Sequence, residues 1–175
     1  LVFLGAPIYV DILGRNLHKI GVVDESQPLS FRGFNRRLYT GRRRCGQYRW
    51  LLQRALVEPL QAEVPRTLIF VGLNPSRASQ HRDDPTLRRL SAFGTRWGYH
   101  QLVVINLFAR ISPSPGALRH CSDPIGDKTD AVLQHWMEDW ADHPSWDLWL
   151  GWGNRGTLLQ RDQTVVTWLA LCLRR

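Results

Sequence analysis

Three short polar clusters carry the residue types from which a site is built, and each follows an apolar run. The first is Gly72-Leu73-Asn74-Pro75-Ser76. Gly72 permits a close backbone approach that a Cβ would block, and Pro75 forbids further strand pairing. Asn74 is thereby presented at a turn with a side chain that both donates and accepts hydrogen bonds. Such an amide orients a water or reads the edge of a base; it also closes Asn-Pro turns onto their own backbone, and the sequence leaves both uses open. The second cluster, Asn106 to Arg110, sets two polar side chains among wholly apolar neighbours. Arg110 suits a phosphate, and Asn106 either fixes a loop or ties two strand ends together. The third, Gly151-Trp152-Gly153-Asn154-Arg155-Gly156, lacks the spacing of either nucleotide fingerprint. Its backbone N–H groups suit an anion, and Trp152 offers a stacking face.

The elements that position these clusters follow from hydrophobic patterning. Thr67 to Val71 is a continuous apolar, β-rich run between Pro65 and Gly72, which predicts a strand buried on both faces. Asp84-Pro85-Thr86 predicts a helix start, with Asp84 as cap and Pro85 at the first helical position, where a missing N–H is harmless. Leu87, Leu90, Phe93 and Trp97 line one face of that helix, and Gly98 closes it. Leu102 to Ile105 is a second buried strand, so strand, helix and strand imply a right-handed parallel crossover. A helix beginning near Gly126 carries Ala131, Val132, His135, Trp136 and Trp140. Trp146 to Trp152 predicts a third strand, and Asp162 a cap for a last helix through Val165, Val166, Leu169 and Leu173. Gln47 to Leu56 fits either a strand or a helix, and we read a strand preceding the first crossover. The expectation is an α/β fold, a three-layer sandwich with a mostly parallel central sheet. Ligands bind beyond the carboxyl ends of such strands, where all three clusters fall.

A chain of 175 residues with 43% hydrophobic content supports one core. The formal charge of +8 is concentrated, because Arg32, Arg36, Arg37, Arg42, Arg43, Arg44 and Arg49 occur without an intervening acid. Such a block is a solvated arm or a grip for polyanions. We therefore divide the chain into a basic arm, residues 1–45, and a single α/β domain, residues 46–175. Cys45, Cys121 and Cys172 match neither a disulfide framework nor a zinc site, which points to reduced thiols in the cytoplasm. Leu1 to Val10 is apolar but too short to span a bilayer and lacks a basic leader, so no membrane is expected. Asp83 and Asp84 invite a metal, yet Asp84 is accounted for as a cap and no histidine stands at ligand spacing; His81 is the nearest. No metal or cofactor is expected, and the oligomeric state is not specified by the sequence.

Taken together, Ile69 to Ser76, Asp83 to Arg89, Trp97-Gly98-Tyr99, Val104 to Arg110, Asp123-Pro124-Ile125-Gly126, Asp130 and Trp152-Gly153 resemble the domain of unknown function numbered 1643, an uncharacterised bacterial family. The resemblance covers roughly Gln47 to Leu173. More distantly, the layout of the three strand-end clusters is similar to that of the uracil-DNA glycosylase superfamily, whose mismatch-specific branch carries a similar Gly-hydrophobic-Asn-Pro turn. This second resemblance implies a glycosylase-like fold and N-glycosidic cleavage of a base in nucleic acid, DNA rather than RNA. Asn74 would then orient water toward C1′ of a flipped nucleotide, and backbone N–H groups near Leu73 and Asn74 would help hold the base. Gly72, Pro75, Ser76, Asn106, Arg110, Trp152, Gly153 and Asn154 would complete the binding surface, with Arg42, Arg43 and Arg44 on phosphates. Those glycosylases carry a His-Pro-Ser motif after the last core strand. Here His143-Pro144-Ser145 precedes the third strand and is expected to be a loop at the opposite edge of the sheet. Either the chain is truncated at its C-terminus or it does not catalyse as those enzymes do. The alternatives are a non-catalytic DNA- or RNA-binding module and an enzyme on free nucleotides that uses Arg110 and the Gly153 turn.

Overall fold

The computed structural model describes residues 38–43, 46–57, 64–75, 83–112 and 114–174. The core of the sheet is two parallel strands, β3 (Thr67–Gly72) and β4 (Gln101–Asn106), joined through helix α1 (Pro85–Arg96). Every residue of β3 is buried, which explains why the run is continuously apolar rather than alternating. Ile69, Val71, Val103 and Ile105 face Val132, Leu133, Trp136, Val165 and Leu169 of α2 (Thr129–Asp142) and α3 (Arg161–Cys172). Leu68, Phe70, Leu102 and Val104 face Leu87 and Leu90 of α1. Helices thus cover both faces.

The first helix begins as expected. The Asp84 carboxylate accepts the Leu87 N–H at 2.8 Å, Pro85 opens the helix, and Gly98 beyond its end adopts φ +75°. At the last helix the cap position falls instead on Gln160, in left-handed conformation. Asp162 lies inside the first turn, where its carboxylate accepts the Gln163 N–H and complements the helix dipole. Strand β5 (Trp146–Leu150) ends two residues short of the expected Trp152 and pairs with β3 in parallel.

The sheet is mixed rather than mostly parallel. Its order is β1-β2-β4-β3-β5, where β1 is Leu38–Arg43 and β2 is Gly46–Ala55. β2 runs antiparallel to both β1 and β4. The reason is connectivity: β1 and β2 form a hairpin, and the parallel crossovers begin only with β3. Residues 38–43, read from sequence as the end of the basic arm, are paired in this hairpin.

β2 also carries an irregularity that matters below. Tyr39 pairs with Leu51 while Thr40 pairs with Arg49, so Trp50 is one residue too many. Such a bulge reverses the alternation of faces. Tyr48, Trp50 and Leu51 all join the core under α2 and α3, with the Tyr48 and Trp50 rings stacked at 5.7 Å. Leu52 and Arg49 are left for the α1 face.

No helix among the described residues is long and apolar enough to cross a membrane.

Candidate functional site

Because β3, β4 and β5 are parallel, their carboxyl ends share one edge. The connection after β3 leads to β4 on one side, and the connection after β4 returns across β3 to β5. This reversal leaves a crevice at the carboxyl edge. A cleft of about 650 Å³ opens there, lined by residues of all three polar clusters and by the N-terminal turn of α1. That volume is in the usual range for a small-molecule site.

Its floor is a row across the sheet on the α1 face. Next to the apolar belt of Leu52, Val104 and Phe70 come Arg49 on β2, Asn106 at the end of β4, Gly72 opposite Asn106 on β3, and Gly151 beyond β5. The two glycines admit the Phe70 ring. A Cβ on Gly72 would meet Phe70 Cε1 at 3.0 Å and Asn106 Oδ1 at 2.7 Å, and one on Gly151 would fall on the other edge of the same ring. Phe70, itself 6% exposed, therefore lies across β3 and the end of β5, with the Trp149 ring at right angles to it at 5.4 Å.

Three groups give this floor its polarity. The Asn74 amide nitrogen donates to Pro75 O at 3.1 Å and Ser112 O at 3.3 Å, which fixes the side chain and leaves Oδ1 without a partner among the described residues. The donor closes the turn, and the acceptor stays open at a cleft-lining position. Asn106 is 6% exposed, and its side chain makes no hydrogen bond among the described residues. The two strand ends are instead tied by backbone, Leu107 N–H to Gly72 O at 2.9 Å and Phe108 N–H to Leu73 O at 3.0 Å. Asn106 is thus a largely buried amide that lines the cleft without a partner among the described residues.

Arg49 is the third. It is 4% exposed, and burial lowers its pKa to about 10, against the opposing pull of Asp84 and with a further push from Arg54. It remains charged at neutral pH. Around it the cleft carries Arg89 and Arg155 at exposed positions and Asp84 as the one acidic residue in its lining. Arg49 was not singled out from the sequence. Its signal was there, since alternation with Tyr48 and Trp50 places a charge on a face that a covered strand must bury.

Leu73, Trp152, Gly153 and Asn154 also line the cleft. The Trp152 indole is packed against Gly156, where a Cβ would overlap it, and Gly153 takes φ +65°. Pro75 is buried beside the cleft without lining it. Arg110 is not brought to the site. It bridges to Tyr48, its guanidinium 5.8 Å over that ring, and Tyr48 belongs to the core under α2 and α3. Ser76, His81 and Arg44 lie outside the described residues, and Arg42 and Arg43 end β1. Asp83 is engaged by Arg54 at 2.9 Å. His143 stands before β5, at the amino edge, with its ring stacked on Trp146 at 4.3 Å.

Fold and cleft together define a single-sheet α/β domain with a mostly apolar, arginine-containing crevice at the carboxyl ends of its parallel strands. The chain belongs to the family described as "Protein of unknown function (DUF1643)", whose model matches residues 49–174. No curated protein and no solved structure matches it.

Proposed function

We propose that this protein acts on nucleic acid, hydrolysing the N-glycosidic bond of a base in DNA from a glycosylase-like fold. The observation that supports this most is the composition of one cleft: an aromatic ring, a largely buried amide without a partner among the described residues and a fixed acceptor, carried by the neighbouring strands β3 and β4 and the turn after β3. A flipped base stacks on Phe70, and the Asn106 amide, which donates and accepts, reads its edge. Asn74 Oδ1 accepts a hydrogen bond from water and aims its lone pair at C1′. The sugar passes through a cationic state, while backbone N–H groups of Leu73 and Asn74 help hold the departing base. Arg42, Arg43 and Arg44 grip phosphates.

The test is direct. Incubation with DNA containing uracil or modified bases, followed by heating in alkali, cuts the strand at each abasic site. Asn74→Ala is expected to slow base release about 10²- to 10³-fold, the usual effect of removing one positioned polar group. Absence of cutting on every base, or equal cutting by Asn74→Ala, rejects the reading. The exposed Arg89 and Arg155 at the cleft favour a second reading, an enzyme on free nucleotides. Calorimetry with mononucleotides separates the two, since a reader of polymer alone gives no heat.

A further inference from the structure

A second hollow, of about 670 Å³, opens at the same carboxyl edge, between the 3-10 turns at Pro115–His120 and Gly153–Gln160. Leu73, Asn154 and Arg155 line it and the cleft alike, so the two spaces meet along that wall. The cleft lies on the α1 face. Leu73, Leu118 and Leu158 pack with the core under α2 and α3, which puts the hollow across the strand ends from it. The charge of the hollow is one-sided. Arg119, His120 and Arg155 line it at exposed positions, without an ion pair or side-chain hydrogen bond among the described residues, and no acidic side chain joins them. Its rim is strained as well. Leu159 and Gln160 take φ of 53° and 54°, a left-handed conformation that glycine adopts freely and a Cβ disfavours. Leu159 is also 57% exposed. Glycine there would avoid both costs, so what leucine contributes is an apolar side chain at the hollow.

We propose that this hollow holds the nucleotide adjoining the one in the cleft, so that the substrate is a nucleic-acid strand; this rests on the nucleic-acid reading given above. Three observations select that ligand. Cations without acids call for an anion, and the guanidinium forks of Arg119 and Arg155 suit phosphate oxygens. Leu118, Leu158 and Leu159 call for an apolar body carried by the same ligand, which a bare phosphate lacks. The shared wall calls for a covalent link between what fills the cleft and what fills the hollow. A phosphodiester crossing at Leu73 and Asn154 supplies that link. Arg155 meets it on the wall, Arg119 and His120 hold the phosphate from the far side, and the neighbouring sugar and base rest on the leucines.

Calorimetry with charge-matched probes tests this without turnover. The trinucleotides are d(TpNpT), where N is uracil or any ordinary base and bears a 2′-fluorine that blocks its loss. Each carries about the charge of the 5′-monophosphate of N, which has no neighbour. The best-bound trinucleotide is expected to bind at least about tenfold more tightly than its monophosphate. Arg119→Gln combined with His120→Gln should weaken the trinucleotide about fivefold, as for two exposed charge contacts, and leave the monophosphate unchanged. Leu159→Gly, which relieves the left-handed backbone, is expected to fold and to weaken the trinucleotide alone. Equal affinity of the two probes, no loss in the variants, or no binding of any trinucleotide overturns the proposal. A loss shared by the monophosphate makes the hollow a site for free nucleotides and overturns the strand. Strand binding that depends on Arg119 and His120, in a protein that releases no base, supports the hollow and rejects the glycosidic reading. Base release without that dependence upholds the glycosidic reading and rejects the hollow.

Discussion

The two ends of the parallel strands are built from similar residues and resolved in opposite ways. At the amino edge Arg66, His100, Tyr99 and Asp147 satisfy one another, although the buried Ser145 Oγ has no partner among the described residues. The Arg66 N–H donates to His100 Nδ1 at 2.9 Å, and its guanidinium donates to Trp97 O at 3.1 Å and Asp147 Oδ2 at 3.2 Å while lying 4.5 Å over the Tyr99 ring. Tyr99 in turn donates to Asp147 at 2.6 Å. At the carboxyl edge Asn74 Oδ1 and the Asn106 side chain have no partner among the described residues, glycines replace side chains, and an arginine is buried. Closed polar networks hold elements together; open ones at the rim of a cleft are where a ligand completes the bonding.

That contrast can be broken by substitution at either end. Among substitutions that act through packing and structural contacts, the largest effect is expected from Gly151→Ala, because the added methyl displaces the Phe70 ring. Overpacking of this kind destabilises by about 1–3 kcal/mol, read as a lower urea midpoint. Loss of the stacking face should weaken base binding by tenfold or more, at about 1–3 kcal/mol per stacked base. Asp147→Asn at the amino edge should lower stability by about 1 kcal/mol, since its partners Arg66 and Tyr99 lose a charged acceptor that is itself part-exposed. Base release should not change. The smallest effect is expected from His143→Ala, which removes one ring from a stack on Trp146 and a contact between Nδ1 and Asp139 O, worth about 0.5–1 kcal/mol. A His143→Ala protein that folds yet fails to release base would give the amino-edge His-Pro-Ser segment a catalytic part, and the division between the two edges would collapse.

Much of this was legible beforehand, for a physical reason in each case. Asp84-Pro85 and Gly98 specify the ends of α1 by local backbone chemistry, so no distant partner was needed to place them. The continuous runs in β3 and β4 reported burial on both faces, and their polar ends reported the edge where the cleft lies. Asn74 was visible as a displayed amide, although only the structure shows its nitrogen engaged and its oxygen open. The direction of β2 was not legible, because an apolar strand reads the same whichever way its neighbour runs. The last helix was placed correctly in extent but not in its cap, since an aspartate in a first turn and one at a cap look alike in sequence.

The sequence by itself determined where strands end and helices begin, which segments are core, and which family the chain resembles, because these depend on neighbours within a few positions. The tertiary structure decided which side chains share the cleft. One extra residue at Trp50 turns Arg49 to the α1 face, the Tyr48 ring draws Arg110 away from the site, and two glycines from separate strands make room for one Phe70 ring. Each of these depends on register between chain segments far apart in sequence, and a single-residue change in register reverses the face to which a side chain points.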